Sequence, residues 1–439
     1  MEEKLSLKRT LLYSSASAGI NIMGITVSTW LLYFYAPPPD SGRPAVLPIA
    51  LVGVLMTLSS LWDAFIDPFI GHWSDTLRSR WGRRRPFLLF AAPVAAISLV
   101  LIWTPPREAS VTVNAIYFFV IVTIFYSATS LIGIPYDASM PEMASDAHSL
   151  VTLSTWKNVF GILGVMVGAL VAAPLFDSIG AVSMGAVVAV VGLIAVWMGL
   201  AGLKETKKPV GEPMPVIEGL KATLKNRQFL YMLLSVLVVH VAYAMIVANL
   251  PYFVTLIIGG SEADVGLYTG VLVLIMLISA PFWNWISKRY PNRVLLTATM
   301  IALGIAIALN YFVGSLSFIS PTVQGMITLG LVGPALGGYL ILSFAVMGSV
   351  VDYDELFTHS RREAIYYGTF SLAASIGPSL SALILPFILE NFGYTKANPQ
   401  GVRLVWLIAA LLSFVGAAIF SKYKLGDTIE ETKANLGLN

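Results

Sequence analysis

Two aspartates, Asp63 and Asp67, stand four residues apart in an otherwise apolar stretch that reads WDAFIDPFIGHW. On a helix this spacing puts both carboxylates on one face. An acid inside a bilayer costs about 2.5–3.5 kcal/mol on insertion scales, and two like charges side by side add to that cost unless a cation neutralises them. The pair therefore predicts a cation site that fills and empties. The alternative is a structural pair bonded to a helix end or to the arginines that follow.

The composition explains why these acids stand out. The 439 residues are 57% hydrophobic and only 12% charged, whereas soluble domains carry about 25% charged residues. A mean hydropathy of +0.79 over the whole length requires many apolar spans. The absence of cysteine excludes disulfides and thiolate chemistry. We predict an all-α, multi-pass integral membrane protein with the lipid bilayer as its surroundings and no nucleic-acid partner.

The spans are apolar stretches separated by Pro, Gly and charge, and each must be a helix because lipid offers the backbone no hydrogen-bond partners. Twelve are predicted, over 11–36, 45–71, 87–104, 113–138, 150–173, 181–203, 228–257, 264–287, 293–314, 322–350, 364–390 and 401–422. Lys and Arg concentrate on one set of connections, and the opposite set keeps only Arg43, Arg107, Lys396 and Arg403. This asymmetry predicts that both termini lie in the cytoplasm, with the protein in the plasma (inner) membrane.

The polar segment 204–227 divides the chain into two halves that share residues at one constant offset. The matches include Pro68 with Pro281, Tyr126 with Tyr339, Glu142 with Glu355 and Gly164 with Gly377. We predict an N-terminal six-helix bundle with the cation site over 1–203, a cytoplasmic linker over 204–227, and a C-terminal six-helix bundle with a short tail over 228–439. Two pseudo-symmetric bundles of this kind are typical of the major facilitator superfamily.

Other polar and aromatic residues within the spans are candidates for a substrate site between the halves. They are Asn21, Tyr126, Asp137, Trp156, Lys157, Asn249 and Tyr366. Asp137 and Lys157 form either an internal salt bridge or part of the substrate or gating site. Charged residues at the predicted cytoplasmic helix ends are interpreted as gate elements, namely Asp75, Arg78, Arg84, Glu142, Asp354 and Arg361.

Four motifs resemble those of one known family in order and spacing. They are WDAFIDPFIGHWSDTLRSRWGRRRPFLL, IPYDASMPEMASD, STWKNVFG and VVDYDELFTHSRREAIYYG. The resemblance is to the glycoside–pentoside–hexuronide:cation symporters, the melibiose-permease-like branch of the major facilitator superfamily. It implies that Asp63 and Asp67 are the cation-binding carboxylates, and metal ligands if the ion is Na⁺. It also implies that Ser130 supplies a hydroxyl ligand and that Lys157 stands in the substrate cavity.

The departures from that family concern the substrate. Asn21 and Gly133 occupy positions where melibiose-type members carry sugar-gripping aspartates, and Ser375 replaces a lysine. A sugar pocket needs convergent polar groups, and few are left here. The substrate is therefore a less polar glycoside, an amphiphile or another solute. Ile66 replaces an asparagine found between the two acids in the family, which weakens the case for Na⁺ relative to H⁺.

The sequence thus predicts a symporter coupled to Na⁺ or H⁺ that moves a small solute, such as a glycoside or related sugar, by alternating access. One alternative is a cation-coupled carrier of an amphiphile such as a lysolipid. Another is a transport-inactive membrane receptor, which would be expected to lose the paired acids. An enzyme is not expected, because the chain offers four scattered histidines and no cysteine. We expect a monomer without a cofactor.

Overall fold

The computed structural model describes residues 6–144, 147–205, 223–358 and 363–437 of the chain. Within these ranges the regular structure is helical, so the predicted all-α class is confirmed. Eleven helices are long and apolar enough to cross a membrane. Helices are the expected form, because backbone groups inside lipid must be satisfied within their own segment.

The helices of membrane-spanning length are named in chain order. They are α1 Leu7–Tyr35, α2 Ile49–Thr76, α3 Arg85–Ile102, α4 Val111–Met143, α5 Ala147–Gly202, α6 Arg227–Phe253, α7 Asp264–Ile286, α8 Asn292–Leu309, α9 Pro321–Thr358, α10 Glu363–Phe392 and α11 Gln400–Phe420. A π-helical turn over Val254–Ile258 continues α6, and a 3-10 turn over Asn310–Phe312 continues α8. A short helix, α12, covers Ile429–Leu436.

Helix α5 accounts for two spans, because its 56 residues far exceed the roughly 20 that cross a bilayer. The backbone turns at Gly180, whose φ of 84° and ψ of 167° suit a residue without a Cβ atom. Residues 147–179 form the first limb, α5a, and residues 181–202 form the second, α5b. With both limbs counted, the described residues hold the twelve predicted spans.

The chain divides into two compact units. Unit 1 comprises the described residues of Met1–Gly211 together with Gly260–Gly270, and unit 2 comprises those of Glu212–Gly259 and Val271–Asn439. Most of the predicted linker, 204–227, lies outside the described residues. The domain limits given by the sequence therefore stay a prediction.

A close helix contact recurs in the two units at the positions that the internal repeat relates. In unit 1, a Cβ atom built on Gly164 of α5a would lie 2.5 Å from the carbonyl oxygen of Ala18 in α1. In unit 2, a Cβ atom on Gly377 of α10 would lie 2.7 Å from the Cβ atom of His240 in α6. Glycine at such points lets membrane helices approach closely. In each unit, a glycine at the matched position thus allows close packing against the first helix of that unit, α1 or α6.

Candidate functional site

Helix α2 carries the acidic pair and is joined to α4 by a ladder of side-chain hydrogen bonds. Thr123 Oγ1 donates to Ser59 Oγ at 3.1 Å, Trp62 Nε1 to Ser127 Oγ at 3.3 Å, and Ser130 Oγ to Asp63 Oδ1 at 2.9 Å. The participants lie along one face of each helix, so the ladder sets the position of Asp63 relative to α4. Sequence reasoning singled out the last pair only. The spacing of polar residues along one face of α4 was the available signal for the others.

The two aspartates are unequally satisfied. Both are half-buried, and Ser130 interacts with Asp67 as well as donating to Asp63. In the described part of the chain, no donor reaches the buried Oδ1 atom of Asp67, and no basic side chain forms an ion pair with either acid. A buried acceptor without a partner is unfavourable, and more so if it is charged. The pair thus has an acceptor that a proton or a small cation would satisfy.

The residues around this pair fit a hard cation or a proton. Their groups are carboxylate oxygens and the Ser130 hydroxyl, and hard cations prefer oxygen ligands. Pro68 lies inside α2 and has no N–H, so the carbonyl of Ala64 loses its usual helical donor in the same turn as the acids. Across the described ranges, no three His, Cys, Asp or Glu side chains are grouped as a metal site. The described residues thus supply two carboxylates and one hydroxyl at this point of α2 and α4.

Asp137 and Lys157 form an ion pair between α4 and α5a. The Lys157 Nζ atom lies 2.6 Å from Asp137 Oδ1 and 5.6 Å from the ring centroid of Tyr136. Tyr136 is held against α1, since its hydroxyl and that of Tyr13 each donate to the other's backbone carbonyl, at 3.0 and 2.7 Å. The internal salt bridge considered from the sequence is present. The Asp137 side chain is 60% exposed, so it also presents a surface that a solute can reach.

Three further substrate candidates lie in unit 1 and are half-buried: Asn21, Tyr126 and Trp156. Asn21 Nδ2 donates to a carbonyl of its own helix at 2.8 Å, and it stands 3.3 Å from a Cβ atom built on Gly161, one turn beyond Lys157. Trp156 precedes Lys157 on α5a. Asn21 and Trp156 are thus near the ion pair, whereas Tyr126 lies on α4 in the neighbourhood of Asp63.

The two candidates in unit 2, Asn249 and Tyr366, are packed inside that unit. Asn249 is fully buried, and its Nδ2 atom donates to the carbonyl of Val402 at 3.1 Å. Tyr366 is also fully buried; its hydroxyl accepts from Asn226 Nδ2 at 3.2 Å, and its ring meets Phe229 edge-on. These are helix-packing contacts, and they add no support for a role in substrate binding.

Three predicted gate residues form one network around the loop between α2 and α3. Arg84 is buried, and its Nη2 atom lies 2.9 Å from Asp75 Oδ1 and 2.9 Å from Glu142 Oε1. Arg83 also pairs with Glu142. The network joins the end of α2, the loop and the end of α4, so it can hold this end of the bundle together.

The other predicted gate residues lie apart from that network. Arg78 is exposed on the same loop. Asp354 is buried near the end of α9, where Thr358 Oγ1 donates to its Oδ2 atom at 3.4 Å. Arg361 lies outside the described residues, so its part in a gate stays a prediction.

Glu205, which sequence reasoning missed, caps the arginine-rich loop. Its carboxylate accepts the backbone N–H of Arg83 at 2.5 Å and those of Arg84 and Arg85 at 2.8 Å each. These groups lie at the start of α3, where negative charge is favoured. Gly82 permits the approach, because its φ is 106° and a Cβ atom there would lie 2.6 Å from Glu205 Oε2.

One more ion pair of unit 1 lies outside the spans. Arg43, between α1 and α2, pairs with Glu262, just before α7, and Tyr33 donates to the same carboxylate at 3.1 Å. The Arg43 guanidinium also lies over the ring of Phe176, at 4.7 Å from its centroid. Burial raises the pKa of Glu262, while Arg43 and the Tyr33 hydrogen bond lower it. The Arg43 charge therefore partly offsets the cost of burying this acid.

Known proteins resemble the chain along nearly its whole length. The family model for MFS/sugar transport proteins matches residues 12–423. The isoprimeverose transporter of Lactiplantibacillus pentosus is 27% identical over 406 residues, which cover 89% of this chain and 81% of that protein. The sodium-dependent lysophosphatidylcholine symporter 1 of Gallus gallus is 20% identical over 481 residues, which cover 97% and 88%. The crystal structure of the nucleoside transporter NupG gives a TM-score of 0.68 at 16% identity, covering 95% of this chain and 99% of that one.

The structural similarity shows the fold, and the family match shows the lineage. The predicted major facilitator fold with twelve spans is confirmed. Such carriers are embedded in a membrane and act on small molecules. The chain is therefore a multi-pass integral membrane protein that belongs to the MFS/sugar transport family of the major facilitator superfamily, in the melibiose-permease-like branch that its motifs resemble.

Proposed function

We propose that the protein is a cation-coupled secondary symporter that uses a Na⁺ or H⁺ gradient to move a glycoside or related sugar by alternating access. The observation that carries the proposal is the state of the acidic pair on α2. Asp67 Oδ1 is buried without a donor among the described residues, and no basic side chain is paired with Asp67 or with Asp63 beside it. The relatives add support, since they include a sugar carrier and a sodium-dependent symporter.

Coupling arises from the charge of this pair. Asp63 and Asp67 bind the cation with the help of the Ser130 hydroxyl, and binding neutralises them. Two adjacent unneutralised carboxylates disfavour every state that excludes water from the site. The ion and the solute therefore each favour the same conformational step, and each strengthens the binding of the other by the same factor.

The solute binds beside the Asp137–Lys157 pair. Lys157 supplies a charged donor, Asp137 an exposed acceptor, and Trp156 an apolar face for a sugar ring or another flat surface. Asn21 contributes an amide next to α5a. Tyr126 lies on the side of the acidic pair. Asn249 and Tyr366 stay predictions for the substrate site: each contacts a neighbouring segment of unit 2, and the buried Oδ1 atom of Asn249 has no donor among the described residues.

A second candidate function is cation-coupled transport of an amphiphile such as a lysolipid. The observation that favours it is the space at Gly133 of α4, where a Cβ atom would meet no atom within 4 Å. That position carries a sugar-gripping acid in the family that the motifs resemble. An apolar or bulky solute fits such a widened, less polar site better than a free sugar does.

We further propose that both termini face the cytoplasm, that the protein resides in the plasma (inner) membrane, and that it works as a monomer. The placement of Lys and Arg supports the orientation. The proposal includes no resident cofactor, no catalytic activity and no nucleic-acid partner. Its rival from another class is a transport-inactive receptor, which would bind a ligand without moving it.

The first experiment is a thermal-stability screen of the purified protein against glycosides and lysolipids, each with Na⁺, Li⁺ or low pH. A shift that requires both ion and solute identifies both partners. The solute found is then followed into proteoliposomes under an imposed gradient of the same ion. We expect the wild type and a control variant, Asp177→Asn at an exposed acid of α5a, to accumulate the solute uphill.

The same assay on Asp63→Asn and Asp67→Asn decides the mechanism. Uphill accumulation by both variants would show that the acidic pair does not couple transport. Solute binding without counterflow in the wild type would instead favour the receptor.

A further inference from the structure

An apolar groove runs along unit 1 between α2, α3 and α4. Its volume is about 560 Å³, and its walls include Trp62, Trp73, Phe87 and Phe90. Trp62, Trp73 and Phe90 are exposed, so the aromatic wall is accessible from outside the unit. None of the residues of the acidic pair or of the Asp137–Lys157 pair lines the groove.

A basic pocket adjoins one end of this groove. It has a volume of about 780 Å³ and lies around the loop between α2 and α3. Six basic residues line it: Arg9, Arg78, Arg80, Arg83, Arg85 and Lys204. Leu77 borders both cavities, and the ring of Trp81 in the pocket lies 5.6 Å from that of Phe90 in the groove. The charged and apolar cavities therefore form one continuous surface.

Much of the positive charge in the basic pocket has no carboxylate partner among the residues that the structure describes. Glu205 is the acid among the lining residues, and its oxygens are engaged by the backbone of the loop. Arg83 is paired with Glu142. Among the residues that the structure describes, no carboxylate pairs with four of the lining side chains, those of Arg9, Arg78, Arg80 and Arg85.

A topology signal accounts for basic residues on one side of a membrane. It does not require that they surround one pocket, nor that the pocket open onto an aromatic groove. The combination matches an amphiphile with an anionic head. Guanidinium groups bind phosphate through two parallel hydrogen bonds, and basic pockets beside membrane helices are suited to anionic lipid head groups.

We propose that this surface binds an anionic phospholipid of the surrounding bilayer. The phosphate lies in the basic pocket against Arg78, Arg80 and Arg85, and one acyl chain lies in the groove against Trp73 and Phe90. An apolar groove gains little by exchanging one lipid chain for another, so the preference among lipids comes from the charge of the head group. The basic pocket is separate from the proposed transport site, whereas the groove shares Trp62, Thr123 and Ser127 with the ladder beside Asp63; the proposal stands even if the protein moves no solute.

The test measures the melting temperature of the full-length protein in phosphatidylcholine bilayers with increasing phosphatidylglycerol. We expect phosphatidylglycerol to raise the melting temperature of the wild type, with a shift that shrinks at high salt because charges near water are screened. The triple variant Arg78→Gln, Arg80→Gln, Arg85→Gln should lose at least half of that shift. A matched variant removes three exposed charges of unit 2, Lys288→Gln, Lys422→Gln and Lys424→Gln, and should keep it.

Two further arms test the nature of the ligand. Phe90→Ala should weaken the phosphatidylglycerol shift, whereas Phe387→Ala, at an exposed phenylalanine of α10, should not. Inorganic phosphate at the same concentration should give no comparable shift. Equal shifts in all variants would overturn the proposal, and a full shift with phosphate alone would assign the pocket to a soluble anion instead. Folding of each variant is checked by its melting temperature in pure phosphatidylcholine.

Discussion

Unit 1 contains two charged pairs within its spans, and they are built in opposite ways. Asp137 and Lys157 compensate each other across two helices at 2.6 Å. Asp63 and Asp67 carry the same charge on one helix, and the Ser130 hydroxyl interacts with both. The first pair is complete as it stands. The second has a buried carboxylate oxygen that no donor reaches among the described residues, and we propose that a cation completes it, as a coupling site requires.

Removing one charge of the like-charged pair, Asp63 and Asp67, should have the largest effect, and on the ion dependence of solute binding. Asp67→Asn replaces the acceptor that lacks a donor with a neutral group, so the driving ion should no longer alter solute binding. We expect ion-dependent stimulation of solute binding to fall by at least ~10-fold, since couplings of this kind are typically worth 1–3 kcal/mol. Solute exchange without a gradient should persist. Equilibrium binding with and without the ion checks the first expectation, and counterflow checks the second.

Breaking the oppositely charged pair, Asp137 and Lys157, should have a smaller effect, and on solute affinity rather than on coupling to the ion. Lys157→Met leaves the Asp137 carboxylate without its cation, and we expect the apparent solute affinity to fall by about 10-fold, because charge-assisted hydrogen bonds contribute roughly 1.5–3 kcal/mol. The ion dependence of whatever binding persists should be unchanged. Adding Asp137→Asn should recover thermal stability without recovering affinity. Full recovery of solute binding in the double variant would reduce the pair to a structural role.

Removing the hydroxyl between the two acids should weaken the ion site without abolishing it. Ser130→Ala deletes one hydrogen bond to Asp63, which is worth about 1 kcal/mol. The ion concentration for half-maximal uptake should therefore rise about fivefold, while the maximal rate is kept. Ser130→Thr keeps the hydroxyl and serves as the control. An unchanged ion dependence in Ser130→Ala would place the ion elsewhere.

The Arg43–Glu262 pair extends the comparison outside the spans and should show the smallest effect. Since burial raises the pKa of Glu262, the folded protein holds this proton more tightly than the unfolded chain does. The free energy of unfolding therefore decreases as pH rises through the range between the ordinary and the raised pKa. Arg43→Gln removes the cation that offsets this penalty. We expect it to lower stability by roughly 1 kcal/mol at pH 8 and by less at pH 5.

Melting temperatures of the wild type and Arg43→Gln over that pH interval measure the difference. A loss that is equal at both pH values would show that Arg43 acts through its contact with Phe176 rather than through charge. Arg107→Gln, at another basic residue predicted to lie on the same side, provides the control.

The features that depend on local sequence could be predicted, because the cost of placing each side chain in lipid depends on the residue itself. The twelve spans and the break between 173 and 181 follow from hydropathy. The acidic pair stands out because its cost is visible on one helix. The prediction that Ser130 is a ligand of the cation rested on resemblance. The other residues of the ladder, Ser59 and Thr123 among them, could be found only from the register of α2 against α4.

Features that depend on distant segments were not predictable in the same way. Glu205 reaches a loop that is more than a hundred residues away, and nothing near it in the sequence indicates that backbone groups will bind it. Asn249 looked like a site residue because an amide within a span is costly. The structure satisfies its nitrogen with a carbonyl of α11, and whether an amide faces a neighbour or a cavity is decided by packing alone.

The turn at Gly180 has a consequence for the insertion of the protein into the membrane during synthesis. Limbs α5a and α5b are joined by Gly180 with almost no loop between them. The connection is therefore too short for one limb to lie in the bilayer while the other stays far from it during synthesis. We therefore expect the two limbs to enter the bilayer together as a hairpin. A bulky residue at Gly180 disfavours the φ of 84° that the turn requires. We expect such a variant to insert poorly and to give a low protein yield, whatever its effect on transport.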